Sequence, residues 1–183
     1  MKSDIDILNE IIKDNAKILP EDNYGKLKVK LIEPQQLDSS ATIFGLPNDS
    51  IIIKVDAFKS PDTIFNCSNG ECKRSDFVII ANTDNKKVIL HIEMKAKNGK
   101  NSDIIKQLKG ADCFISYCQK IGQEFWNQPD FLKDYNTRFV AIMHTRIGKS
   151  KTRAERKPCV HDCPEDMLII PLHHLAFNHL AGK

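Results

Sequence analysis

Two apolar runs, residues 76–82 (Asp-Phe-Val-Ile-Ile-Ala-Asn) and 87–95 (Lys-Val-Ile-Leu-His-Ile-Glu-Met-Lys), are joined by only Thr83-Asp84-Asn85-Lys86. No other stretch of the chain restricts its fold so tightly. Both runs are rich in β-branched residues, and Asp and Asn tolerate the backbone angles of a tight reversal. The pair therefore predicts a β-hairpin. If the turn is centred between Asp84 and Asn85, opposed residues have numbers summing to 169. Phe77 then faces Ile92, Ile79 faces Leu90 and Ala81 faces Val88, an all-apolar face suited to a core. On the other face Ile80 opposes Ile89, Val78 opposes His91 and Asp76 opposes Glu93. Lys95 lies two residues further along the same side.

Three charged groups thus converge at one end of an otherwise largely apolar hairpin. Two opposed carboxylates repel, and burying them unpaired is costly. A divalent cation between them removes the conflict. Mg²⁺ takes oxygen ligands and is commonly held by one or two carboxylates together with substrate phosphate. A lysine beside it can orient and help deprotonate a water, or hold a phosphate oxygen. These are the parts needed for metal-assisted attack of water on a phosphodiester. The simpler reading of a strand-end Glu-x-Lys is a solvated ion pair; the opposed Asp76 and the order of the surrounding elements favour chemistry.

Around the hairpin, residues 3–19 carry Ile5, Leu8, Ile12 and Leu19 at helical spacing, with Ser3 as N-cap and Pro20 beyond the end. Residues 26–32 alternate Leu27, Val29 and Leu31 with three lysines, as a half-buried strand does. Residues 33–49 read as loop, and residues 51–58 as a strand. A helix is expected over 102–121, with Ile104, Leu108, Ala111, Ile115 and Cys118 as its buried stripe and Gly122 as its end. A short helix starting at Pro129, a strand over 138–144, a strand near 168–170 and a C-terminal helix follow. No long linker interrupts this order, and no internal repeat is seen. The expectation is one α/β domain over 1–183 with a mixed sheet, its core motif at 51–146 and a basic loop with a strand and helix at 147–183.

With these elements in this order, the chain resembles the PD-(D/E)XK nuclease superfamily. Asp76 matches the acid that starts the second core strand, and Glu93-Met94-Lys95 matches the acid and lysine that end the third. Ser75 stands where many members have Pro. The resemblance implies a restriction-endonuclease-like α-β-β-β-α-β core and an endonuclease-type hydrolysis of nucleic acid with Mg²⁺ or Mn²⁺, DNA being favoured over RNA. Asp76 and Glu93 would ligate the metal with the backbone carbonyl of Met94, and Lys95 would position the attacking water. Gln107 resembles the glutamine that many members place on the following helix, although Ala111 replaces the tyrosine of the fuller motif. Glu10 would correspond to an acid contributed by the first helix. Many such folds pair to cut both strands, so a homodimer is compatible with the resemblance, but no dimer patch is legible. A second reading keeps the fold and loses the chemistry: a zinc-containing module that binds nucleic acid or protein.

Net charge is only +3, which excludes a histone-like or acidic-tail protein, but local patches decide nucleic-acid contact. Arg146, Lys149, Lys151, Arg153, Arg156 and Lys157 stand against one acid, Glu155, in a loop that topology directs toward the carboxylate end. Such a run serves either as a solvated loop or as a phosphate contact. No apolar run approaches the roughly 18–20 residues of a membrane span. The opening residues do not read as a signal peptide, so a cytoplasmic setting is expected, in which disulfides are not. Cys67 with Cys72 and Cys159 with Cys163 are then either four free thiols or, with His161 as a substitute ligand, a structural zinc site. Cys113 and Cys118 are expected in the core. His91 is expected as a packed side chain, Phe125, Trp126 and Phe131 as packing residues, and His173, His174 and His179 on the last helix.

Overall fold

The computed structural model describes residues 2–33, 40–83, 85–95, 99–143, 160–171 and 174–182. Helix α1 (Asp4–Ile11) opens with a capping box: the Ser3 hydroxyl accepts from the Asp6 amide, and the Asp6 carboxylate accepts from the Ser3 amide. It ends eight residues before Leu19, the expected last turn. A 3-10 turn at Asp14–Ala16 intervenes, and the backbone beyond it becomes extended. There the Ile18 amide donates to Ile52 O, and Lys17 bridges Ile53. Hydrogen bonds along an open strand edge outweigh helical periodicity here.

Strands β1 (Glu21–Asn23), β2 (Lys26–Ile32) and β3 (Ser40–Leu46) form an antiparallel meander. Tyr24 and Gly25, both at positive φ, make the first reversal. β3 occupies part of the segment expected to be loop. Ala41 and Ile43 alternate inward beside β2, and the register slips at Gly45 (φ 72°), where one extra residue is accommodated. Short apolar residues flanked by turn formers carry little strand signal; the paired edge of β2 recruits them.

A second sheet has the order β4 (Ser50–Lys54), β5 (Phe77–Asn82), β6 (Lys87–Lys95), β7 (Asn136–Met143) and β8 (Leu168–Ile170). β4, β5 and β6 are antiparallel, whereas β7 runs parallel to β6, and β8 to β7. Helix α2 (Asn101–Phe125) makes the crossover from β6 to β7. The β5–β6 register pairs Phe77 with Ile92, Ile79 with Leu90 and Ala81 with Val88, as the alternation predicts. β4 gives way after Lys54 to a 3-10 turn at Val55–Ala57, earlier than the expected residue 58. Near the C-terminus β9 (His174–Ala176) joins the first sheet parallel to β3, and α3 (Phe177–Leu180) is a single turn. His174 therefore lies on a strand, with its ring against Phe44, and not on the expected helix.

The hairpin is buried on both sides. Phe77, Ile79, Ala81, Val88, Leu90 and Ile92 pack with Val29, Leu31, Ala41 and Ile43 of the first sheet. Val78, Ile80 and Ile89 pack with α1 and with Ala111, Ile115 and Cys118 of α2. The five expected stripe residues of α2 are all buried, but the helix passes through Gly122 to Phe125. Gly122 serves packing instead. A Cβ there would lie 2.2 Å from Cδ1 of Phe131, so only glycine admits that ring. Residues 129–134 are turns and not a helix, with Leu132 at positive φ. Phe131 is in the core, whereas Phe125 and Cys113 are exposed, contrary to expectation.

Candidate functional site

Asp76 ends the approach to β5, and the backbone fixes it twice. Its carbonyl accepts from the Val55 amide at 2.9 Å, and its Oδ2 accepts from the Met94 amide at 2.6 Å. That second bond ties the carboxylate to the residue between Glu93 and Lys95. Glu93 is fully buried, and its Oε1 lies 2.5 Å from Lys95 Nζ. Lys95 keeps about a fifth of its side chain exposed, so the lysine reaches outward from a closed carboxylate. Asp76, Glu93 and Lys95 are thus brought together at one end of the hairpin, on one side of it.

Burial and like charge shape the electrostatics. The Asp76 carboxyl is pushed up, first by burial and then by the Glu93 charge. Glu93 is also pushed up by burial, with Lys95 pulling the other way. Both groups respond to a third acid, Glu33, which the sequence reading did not single out. Glu33 follows β2 and is buried at 5% exposure. It continues the inward alternation Val29, Leu31, Glu33, and that signal was legible: a carboxylate in the buried phase of a strand demands a partner. Asp56, in the turn after β4, is shifted upward by burial as well, with Lys54 opposing and Glu33 adding to the shift. Four carboxylates therefore influence one another at this end of the sheet, in surroundings that penalise negative charge. Among the described residues no group of three or more His, Cys, Asp or Glu side chains is placed to hold a metal ion. Two carboxylates suit a cation that keeps waters and shares its coordination with a substrate.

Gln107, on the second turn of α2, lines a cavity of about 560 Å³ together with Lys95, Cys72, Lys73, Arg74, Gly99, Lys100 and Asp103. Gln107 and Lys95 therefore line the same cavity. Glu10 is not at the site. It pairs with Lys2 and accepts from Trp126 Nε1 at 2.9 Å on the outer side of α1. His91 is fully buried, stacked on Phe139 with its Nε2 3.4 Å from Asp112, and burial lowers its pKa. It is a packed side chain.

The expected four-cysteine cluster is not assembled among the described residues. Cys67 and Cys72 are joined in a disulfide. A tight loop, with Cys67 at φ 60° and Gly70 at φ 93°, brings their Cα atoms to 5.1 Å, within bridging range. Cys163 instead contacts Asp166 Oδ2, and Cys159 lies outside the described residues. His161 is buried with its Nε2 2.8 Å from Leu180 O, turned toward α3. Arg146, Lys149, Lys151, Arg153, Arg156, Lys157, His144 and His173 also lie outside the described residues.

No helix among the described residues is long and apolar enough to cross a membrane. No family model matches the chain, and no curated protein or solved structure matches it.

Proposed function

We propose that the protein is a metal-dependent nuclease that hydrolyses nucleic-acid phosphodiester bonds at the Asp76–Glu93–Lys95 end of the β5–β6 hairpin. One observation carries the reading: two buried carboxylates, both pushed toward protonation, meet beside a partly exposed lysine. The succession α1, β4, β5, β6, α2, β7, with the meander inserted after α1, supports a restriction-endonuclease-like core.

The donor set fits Mg²⁺ or Mn²⁺, with Asp76, Glu93 and the Met94 carbonyl as the residues that would hold it. The cation would neutralise the buried acids and stabilise the negative charge that develops on the phosphoryl oxygens. The protein's own groups do the positioning. The Met94 amide fixes Asp76 Oδ2, so that carboxylate is aimed before any ligand arrives. The Glu93 contact anchors Lys95 Nζ at the rim, where it can donate a hydrogen bond to a water or a phosphate oxygen and stabilise the negative charge that develops as the water attacks phosphorus. Gln107, which lines the same cavity, can accept from Lys95 or donate to a phosphate oxygen.

Incubating the protein with duplex DNA, single-stranded DNA and RNA in Mg²⁺ or Mn²⁺ tests this. Wild type is expected to cleave at least one of these, and Lys95→Ala and Asp76→Ala are each expected to lose roughly 10²–10⁴-fold in rate. Cleavage that persists unchanged in both variants would refute the assignment.

A further inference from the structure

The cavity beside Lys95 has a composition that the carboxylate site does not explain. Four cations line it, Lys73, Arg74, Lys95 and Lys100, against one acid, Asp103. It opens at the start of the 25-residue helix α2, where Lys100 is the N-cap and lacks a side-chain cap. The first-turn amides and the helix dipole add positive potential there. Its volume, about 560 Å³, lies in the range of ordinary ligand sites.

The arrangement of the cations is built in. Gly110 of α2 lets the preceding loop lie directly on the helix: a Cβ there would stand 1.7 Å from the carbonyl oxygen of Lys73. The Cys67–Cys72 bridge closes the loop immediately before Lys73 and Arg74. The Arg74 guanidinium rests over the Phe58 ring at 5.0 Å, and Phe58 in turn stacks on Phe114. Its Nε is buried without a hydrogen-bond partner among the described residues. Lys73 is held by Asp103 at 2.7 Å, a half-exposed contact that an incoming anion could displace.

The geometry points to a phosphate-binding subsite in this cavity, in which Lys73, Arg74 and Lys100 receive a backbone phosphate of the strand whose neighbouring phosphodiester is presented to Lys95. This rests on the nuclease reading and adds to it where the substrate backbone runs: over the α2 N-terminus and the disulfide loop. Asp103 acts as the resident anion that the phosphate replaces.

The test is binding of fluorescein-labelled 20-mers (duplex DNA, single-stranded DNA and RNA) to the full chain in EDTA, read by anisotropy across a salt series. Lys73→Gln combined with Lys100→Gln alters two exposed side chains and leaves the core intact. It is expected to weaken the best-bound 20-mer about tenfold at 100 mM salt and to flatten the log–log salt slope by about 1–2, near 0.9 per lost duplex contact. Arg74→Gln is expected to weaken it comparably. Asp103→Asn is expected to tighten binding several-fold, a gain that loss of structure does not produce. The exposed pair Lys120→Gln/Lys133→Gln, away from the cavity, serves as the reference. If the cavity variants match that reference in affinity and slope, or if Asp103→Asn weakens binding, the subsite is overturned. The two readings fail separately. Cleavage with an unaltered slope in the cavity variants removes the subsite and leaves the nuclease. Cavity-dependent binding with no cleavage in any metal removes the nuclease and leaves a nucleic-acid phosphate site.

Discussion

The two ends of the β5–β6 hairpin place their polar groups in opposite surroundings, half-exposed at the turn and buried at the other end. At the turn end, Thr83 and Lys86 close on each other through backbone and hydroxyl bonds of 2.8–3.0 Å. Asn82 there reaches Asp49 through its amide side chain at 2.5 Å and through its backbone at 2.9 Å. Neutral donors find acceptors there. At the other end Asp76, Glu93 and the nearby Glu33 bring like charge into a buried place, with Lys95 as the close cation. A strand end that served only stability would resemble the first. The second contains a deficit of positive charge, and that deficit is the reason to look there for a cation and for chemistry.

The largest effect that separates the ends is in the pH dependence of stability. The Asp76 and Glu93 carboxyls titrate above the values they have in the unfolded chain. Above pH 4, therefore, the native state retains protons that the unfolded chain has released, and metal-free stability falls as pH rises toward about 9. Thermal melts without divalent ions are expected to show that decline. Mn²⁺ is expected to flatten it, with a Tm gain that grows with pH. Asp76→Asn removes the need to take up a proton on folding while keeping an acceptor for the Met94 amide, so at pH 8 without metal it is expected to stabilise by about 1–4 kcal/mol. A variant that is less stable than wild type under those conditions would show that the carboxylate is already well compensated.

Glu33→Gln sharpens the same contrast at smaller amplitude. Its charge raises both site carboxyls. The variant is expected to gain about 1 kcal/mol in metal-free stability at pH 8 and to bind Mn²⁺ several-fold more weakly, as measured by denaturant melts and calorimetry. The smallest change belongs to the turn end. Thr83→Val removes hydroxyl bonds that are local and partly exposed, and is expected to cost about 0.5 kcal/mol with no change in cleavage rate. A comparable loss of activity there would mean that the hairpin responds as a unit and that its two ends are not distinct.

The hairpin was legible from sequence because two independent signals, alternation and turn chemistry, set the same register. The convergence of Asp76, Glu93 and Lys95 in the candidate site is legible for the same reason, since it follows from that register once it is fixed. Glu33 falls at the start of residues 33–49, whose turn formers read as loop, although the alternation that marks Leu27, Val29 and Leu31 extends one step to it. β3 could not be read locally, since Ala41 and Ile43 become a strand only beside β2. Gly122 carries the ordinary signal of a helix end, and only the approach of Phe131 shows that its missing side chain makes room for a ring. The cationic cavity depends on Gly110 placing residues 73 and 74 against a helix that begins 27 positions later in the chain, a contact that no local pattern encodes.

Direct titration of Mn²⁺ into the chelator-treated protein at pH 7.5, followed by calorimetry, tests the account most directly. Stoichiometric binding in wild type that is lost in both Asp76→Asn and Glu93→Gln, with each variant still folded by circular dichroism, is the predicted result. Binding that is absent from wild type, or equally strong in all three proteins, would contradict it.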